Sequence, residues 1–159
     1  MKNTLRTTII AGLGALSLAA CVGRVRAPEV QLVGVKVGGI GLRGATMIAE
    51  LDIRNPNSFS IETDSITYEL EAANPSDATS WSRVTLGSYT QRIQIGDGDR
   101  TEVEVPIEFN YTGLTGAARS IIDRGTFNYR VRGSVFVREP LQRIVPFSRS
   151  GNVSLAGAR

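Results

Sequence analysis

Met47, Ala49, Leu51 and Ile53 occupy alternate positions, with Glu50, Asp52 and Arg54 between them and Ile48 as the one apolar intrusion. A period of two describes a strand with one face in a core and the other in water. The pattern stops at Asn55-Pro56-Asn57. The residue before a proline is driven out of the α region, and Pro56 has no N–H to give to a ladder. Phe59 and Ile61 then return apolar side chains at alternate positions, so the chain predicts a strand, an abrupt corner and a second extended run.

The same alternation recurs through the chain. Val30 to Val37 is apolar and β-branched; Ile66, Tyr68, Leu70 and Ala72 oppose Thr67, Glu69 and Glu71. Ala73 to Ser80 reads as a polar loop, Trp81 to Ile95 as one or two further strands, and Asp97-Gly98-Asp99 as a tight turn. Val103, Val105, Ile107 and Phe109 then oppose Glu102, Glu104, Pro106 and Glu108. Pro106 lacks a ladder donor, which predicts an edge or a bulge. Phe127, Tyr129, Val131, Gly133, Val135 and Val137 oppose Asn128, Arg130, Arg132, Ser134 and Arg138, and Arg143 to Leu155 reads as a last strand interrupted by Pro146 and Gly151. The outward arginines of the penultimate strand are expected opposite the glutamates of Glu102 to Glu108.

The period changes once. Leu114, Ala117, Ala118 and Ile121 have helical spacing, and Gly125 follows as a C-terminal cap, which predicts one short helix of about three turns. The fold these elements predict is all-β: an antiparallel two-sheet sandwich of the immunoglobulin or fibronectin III kind, with about seven strands.

The first twenty residues stand outside this pattern. Lys2 and Arg6 precede a short apolar run, Thr7 to Leu18, below the ~20 residues of a membrane span. The run ends in Leu18-Ala19-Ala20-Cys21, which looks like the lipobox of a bacterial lipoprotein precursor. Small residues before the scissile bond suit a signal peptidase, and the Cys21 thiol is the acceptor for a diacylglyceryl group. The expected division is a signal peptide over 1–20, a lipidated N-terminus and tether over 21–28, and one domain over 29–159. Arg24 and Arg26 lie in the tether, as anionic-headgroup contacts or as a solvated linker. Val22 after the cysteine, in place of an aspartate, points to the periplasmic face of the outer membrane.

The run Leu51-x-Ile53-x-Asn55-Pro56-Asn57-x-Phe59-x-Ile61 resembles the type 2 late-embryogenesis-abundant family, also called the WHy (water stress and hypersensitive response) domain. Ile66-x-Tyr68-x-Leu70, Val105-Pro106, Tyr129-x-Val131-x-Gly133 and Val145-Pro146-Phe147 continue the match, which spans roughly Glu29 to Leu155. The resemblance implies the same sandwich and a protective role in drying or freezing. The lipoprotein signal sets this sequence apart from many relatives.

Charge and chemistry narrow the function further. The formal charge of +3 includes Lys2 and Arg6, so the mature balance is close to neutral, and the arginines are scattered; no nucleic-acid footprint appears. Gly39, Gly41 and Gly44 spell G-x-G-x-x-G, but an alternating strand follows where a dinucleotide site needs a helix; a glycine-rich strand connection is expected. The Asp97–Asp99 pair lacks the fuller acidic spacing of a calcium loop. There is no histidine, one cysteine, and after Cys21 a single lysine, Lys36. No nucleophile elbow, phosphate loop or zinc pair is present. Neither a catalytic set, a cofactor nor a metal site is therefore expected. The expected partners are the membrane, through Cys21, and client or envelope proteins. The predicted function is stress protection at a membrane, with docking to an envelope complex or lipid binding as alternatives.

Overall fold

The computed structural model describes residues 25–74, 76–114, 118–119, 122–138 and 140–154, with the backbone alone at 77 and 78. Eight strands appear among them, against the expected seven: β1 (Glu29–Ile40), β2 (Gly44–Arg54), β3 (Ile61–Asn74), β4 (Asp77–Tyr89), β5 (Ile93–Ile95), β6 (Arg100–Asn110), β7 (Thr126–Val137) and β8 (Arg143–Ser154). One sheet has the order β1-β2-β6 and the other β4-β3-β7-β8, with β5 paired to β3 beyond the end of β4. All pairings are antiparallel. The chain changes sheet at the Asn-Pro-Asn corner, between β5 and β6, and between β6 and β7.

The inner faces are the alternating apolar sets. Met47, Ala49, Leu51 and Ile53 are buried on β2, Val103, Val105, Ile107 and Phe109 on β6, and Phe127, Tyr129, Val131, Val135 and Val137 on β7. They form one core with Ile66, Leu70 and Ala72 of β3 and Phe147 and Val153 of β8. Pro106 lies on β6, an edge strand, the setting in which a missing ladder donor is tolerated. Gly133 faces Tyr68 across the ladder on one side and Phe147 on the other. A Cβ there would drive into the backbone O of Thr67 and the Phe147 ring, so the glycine leaves room for the aromatic side chain on the neighbouring strand.

Several expected boundaries move. Ala73 to Ser80 is no long loop: β3 continues to Asn74 and β4 starts at Asp77, with Asn74 Oδ1 accepting from the Ser76 N–H and hydroxyl. β8 is not interrupted. Its ladder to β7 runs from Arg143 to Ser154 through Pro146 and Gly151 without a register shift. Pro146 is accommodated because β8 is also an edge. The expected helix is described only in part. Leu114 is extended and closes a 3-10 turn, Tyr111–Gly113. Helical backbone is described at 118, 119 and 122, and Ala117 and Ile121 lie outside the described residues. Ala118 and Ile122 are buried, the Asp123 N–H donates to the Arg119 carbonyl at 2.9 Å, and Gly125 takes a positive φ of 73° that suits a C-terminal cap.

Register shifts set where the inward parity changes along a strand. β1 has bulges between Leu32 and Gly34 and between Val37 and Gly39, and the first moves the inward set from Val30 and Leu32 to Val35 and Val37. In β3 a shift between Thr63 and Ser65 moves burial from Ile61 and Thr63 to Ile66 and Leu70. Thr63 is thereby fully buried, and its hydroxyl has no hydrogen-bond partner among the described residues. A buried hydroxyl without a partner keeps its desolvation cost. Thr63→Val should therefore raise stability by about 1 kcal/mol, read as a higher urea midpoint with an unchanged slope.

Candidate functional site

The sandwich has two ends. At one lie residues 25–28, the Asn-Pro-Asn corner, the turn before β6 and the β7–β8 connection; at the other lie the β1–β2 and β3–β4 hairpins. The first end is organised by two side-chain amides. Asn55 is fully buried and Asn57 nearly so. Asn55 Nδ2 donates to the backbone O of Phe59 at 2.7 Å and of Gly96 at 2.9 Å, with that of Ile95 at 3.4 Å. Asn55 Oδ1 accepts from the Asn57 N–H at 3.1 Å and from Asn57 Nδ2 at 3.0 Å. Backbone bonds add to this: the Asn55 N–H donates to the Asp99 carbonyl, and the Gly98 N–H to that of Asn57, each at 2.9 Å. Pro56 leaves no donor to satisfy at the bend, and Phe59 packs half-buried against the core.

Asn57 also holds the incoming chain. Its Oδ1 accepts from the Arg26 N–H at 2.8 Å, and its Nδ2 donates to the Arg26 carbonyl at 2.9 Å. Pro28 is buried. Residues 26–28 are thus part of the domain and not a free linker. No signal in the sequence separates them from a linker, since the two bonds fall on backbone atoms. Leu18, Ala19, Ala20 and Cys21 lie outside the described residues.

The outer faces of both sheets carry organised charge. On the larger sheet, Glu69 and Glu71 of β3 stand among three arginines. Arg83 Nε lies 2.5 Å from Glu69 Oε1, Arg132 Nη2 is 3.3 Å from Glu69 Oε2 and 2.9 Å from Glu71 Oε2, and Arg130 Nε is 2.7 Å from Glu71 Oε2. Arg130 also stacks over Trp81, 4.4 Å from the ring centroid, a contact of ~0.5–1 kcal/mol at an exposed site. The arginines of β7 therefore pair with β3 and not with Glu102 to Glu108, because β6 belongs to the other sheet. Alternation places outward charges on a face; it does not say which strand lies next to it.

On the smaller sheet the register sets like charges opposite one another, Glu50 against Glu104 and Asp52 against Glu102, an arrangement that costs stability when uncompensated. Lys36 Nζ lies between the first pair, 2.6 Å from Glu50 Oε1 and 2.7 Å from Glu104 Oε1. Its hydrogen bonds to Glu104 and Glu50 hold the ammonium above its usual pKa. Arg100 Nε stands 3.2 Å from Asp52 Oδ1. That ion pair is off hydrogen-bond geometry, so this buried oxygen has no hydrogen bond among the described residues.

The Arg83 hydrogen bond, reinforced by the charges of Arg83 and Arg132, holds the Glu69 carboxyl below the usual carboxylate range despite its partial burial. A depressed folded-state pKa means a contribution that is present above the unfolded value and lost as pH falls through the folded one. Titration followed by NMR should place Glu69 below the value of a free glutamate side chain, and Arg83→Ala should move it upward.

The G-x-G-x-x-G run forms the β1–β2 hairpin, with the Gly41 N–H donating to the Gly44 carbonyl at 2.8 Å. Leu42 is fully exposed at its tip and Ile40 partly so. An open cleft of about 830 Å³ lies beside it, walled by Ile40 to Thr46 and by Glu108, Phe109 and Asn110. Asp97 and Asp99 flank a turn around Gly98, whose φ is 67°. Among the described residues no cluster of three or more acidic or thiol ligands could hold a metal ion. No helix among them is long and apolar enough to cross a membrane.

An antiparallel β-sandwich locked by the two buried asparagines of an Asn-Pro-Asn corner is the class of domain this geometry defines. Residues 50–151 match the family described as Late embryogenesis abundant protein, in its second type, and the chain belongs to that family. A protein from Arabidopsis thaliana has the same fold, with a TM-score of 0.64 and 18% identity over 87% of this chain and 89% of that one. A protein assigned to the late embryogenesis abundant group gives 0.61, at 20% identity over 85% and 76%. One from Archaeoglobus fulgidus gives 0.59, at 15% identity over 79% and 94%. No protein of curated function matches the chain.

Proposed function

We propose that this protein is a non-catalytic stress-protection lipoprotein, tethered through Cys21 to the periplasmic face of the outer membrane, which shields neighbouring envelope components as water is lost. Its strand order, β1-β2-β6 against β4-β3-β7-β8, is read as that of a fibronectin III-like sandwich. Family membership supports a role in stress or desiccation.

The observation that carries the reading is the pairing of charge on the outer faces. Glu69, Glu71, Arg83, Arg130 and Arg132 form a continuous network, and Lys36 joins two carboxylates on the opposite sheet. In water such exposed pairs contribute little to stability. Their attraction grows as the surrounding dielectric falls, so the faces hold together in the condition under which the protein would act. They remain polar enough to offer hydrogen bonds to a drying neighbour.

Two experiments test the reading. Radiolabelled palmitate should enter the wild-type protein and not Cys21→Ser; equal labelling of both removes the anchor. A deletion strain should survive desiccation less well than its parent. The exposed Leu42 at the hairpin tip favours a second reading, docking to an envelope complex. That reading takes over if the deletion costs nothing on drying but dissociates such a complex.

A further inference from the structure

Residue Arg26 is held to the body of the sandwich through both of its backbone polar groups by a single side chain, Asn57. Asn57 is itself fixed by Asn55, which is fully buried. From Pro28 onward the chain is committed to the domain, buried first and then entering β1 at Glu29. Cys21 lies four residues before Val25, a span of at most ~14 Å when fully extended. β1 then runs 12 residues away from this end, about 40 Å at the rise of an extended strand, to the hairpin that exposes Ile40 and Leu42.

We infer that Asn57 is a positioning residue: it clasps the chain so that an anchor at Cys21 holds the corner end of the sandwich against the bilayer and presents the β1–β2 hairpin tip far from it. This rests on the lipid anchor proposed above, but the clasp itself does not. A domain joined by a free linker would sample every orientation and lay its paired-charge faces on its own membrane. A clasped domain keeps both sheet faces and the Leu42 tip turned to the neighbouring space, where clients or partners would be met.

The chain supplies its own probes, with one cysteine, Cys21, and one tryptophan, Trp81. Trp81 pairs with Ala73 near the far end of β3, twelve positions beyond Ile61 at the corner end. Residues 21–159, which contain every described strand, can be coupled through the Cys21 thiol to a maleimide-bearing lipid in vesicles that also carry dansyl headgroups. Energy transfer from Trp81 to dansyl then reports its height above the surface. The wild type should give weak transfer, and Asn57→Ala should raise it severalfold as the domain is freed to tilt. If Asn57→Ala does not fold, Arg26→Pro decides, since it removes the Arg26 N–H and leaves the bonds between Asn55 and Asn57 in place. Strong transfer in the wild type, or a folded variant with wild-type transfer, overturns the inference. Because the coupling is chemical, the result is independent of lipidation in the cell. A missing palmitate label with the expected transfer pattern would leave the clasp standing and remove only the anchor.

Discussion

Asn55→Asp should cost a large share of the stability of the domain, although the two side chains have nearly the same shape. Asn55 Nδ2 supplies the donors for the Phe59 and Gly96 carbonyls. A carboxylate would turn a third acceptor toward them inside the fold. Each buried carbonyl left without its donor costs ~1–3 kcal/mol, and the buried charge adds to this. A total of ~3–6 kcal/mol stands against the 5–15 kcal/mol, roughly, that hold a domain of this size. The loss should shrink in acid, because a protonated carboxyl regains one donor. Urea unfolding at neutral pH and near pH 4 checks both parts. A variant as stable as wild type would mean that the amide is not the donor at this corner.

Leu51→Ala comes next. Leu51 is fully buried on β2, the central strand of its sheet, between Leu32 of β1 and Val103 of β6 in the ladder. Truncation removes transfer energy and leaves a cavity in the middle of a three-stranded sheet that cannot easily collapse, for a cost of ~2–5 kcal/mol. Calorimetry should show a fall in Tm of many degrees. A variant that melts like wild type would mean that the inner and outer faces of β2 are assigned the wrong way round.

Both residues lie in the stretch whose pattern is plainest, and this indicates which parts of the fold the sequence discloses. Strict alternation reports burial faithfully wherever the register is unbroken, as in β2, β6 and β7. In β1 and β3 no single parity runs the whole strand, because bulges after Leu32 and Thr63 invert it partway along. In β3 the inward residues read on either side of the bulge, Ile61 and then Ile66, Leu70 and Ala72, are all buried. A bulge leaves no fixed residue signature. Pro106 and Pro146 read differently in advance, one as an edge marker and the other as an interruption, yet both sit on edge strands for the same reason. The stripe around Ala118 is helical where it is described, at 118, 119 and 122, and Gly125 takes the positive φ of a cap, whereas Leu114, the first of the four apolar residues, is extended and closes a 3-10 turn.

The site was legible to a different degree. Asn55-Pro56-Asn57 announces a corner through the geometry of proline, but the grip of Asn57 on Arg26 depends on two segments 31 residues apart. The charge networks were half visible. Outward Glu and Arg positions follow from period two, whereas the pairing of Arg130 and Arg132 with Glu71 follows from sheet order. Lys36 could be singled out as a lone lysine, but not as the cation between two carboxylates that the register had placed face to face.

The central claim is that the domain protects by surface contact and not by turnover, and drying tests it most directly. A labile enzyme would be dried and rehydrated with the domain, residues 22–159, or with an equal mass of an inert protein, and its residual activity measured. The account predicts clearly higher recovery with the domain, at amounts comparable to those of the enzyme protected. Recovery no better than that given by the inert protein would contradict it.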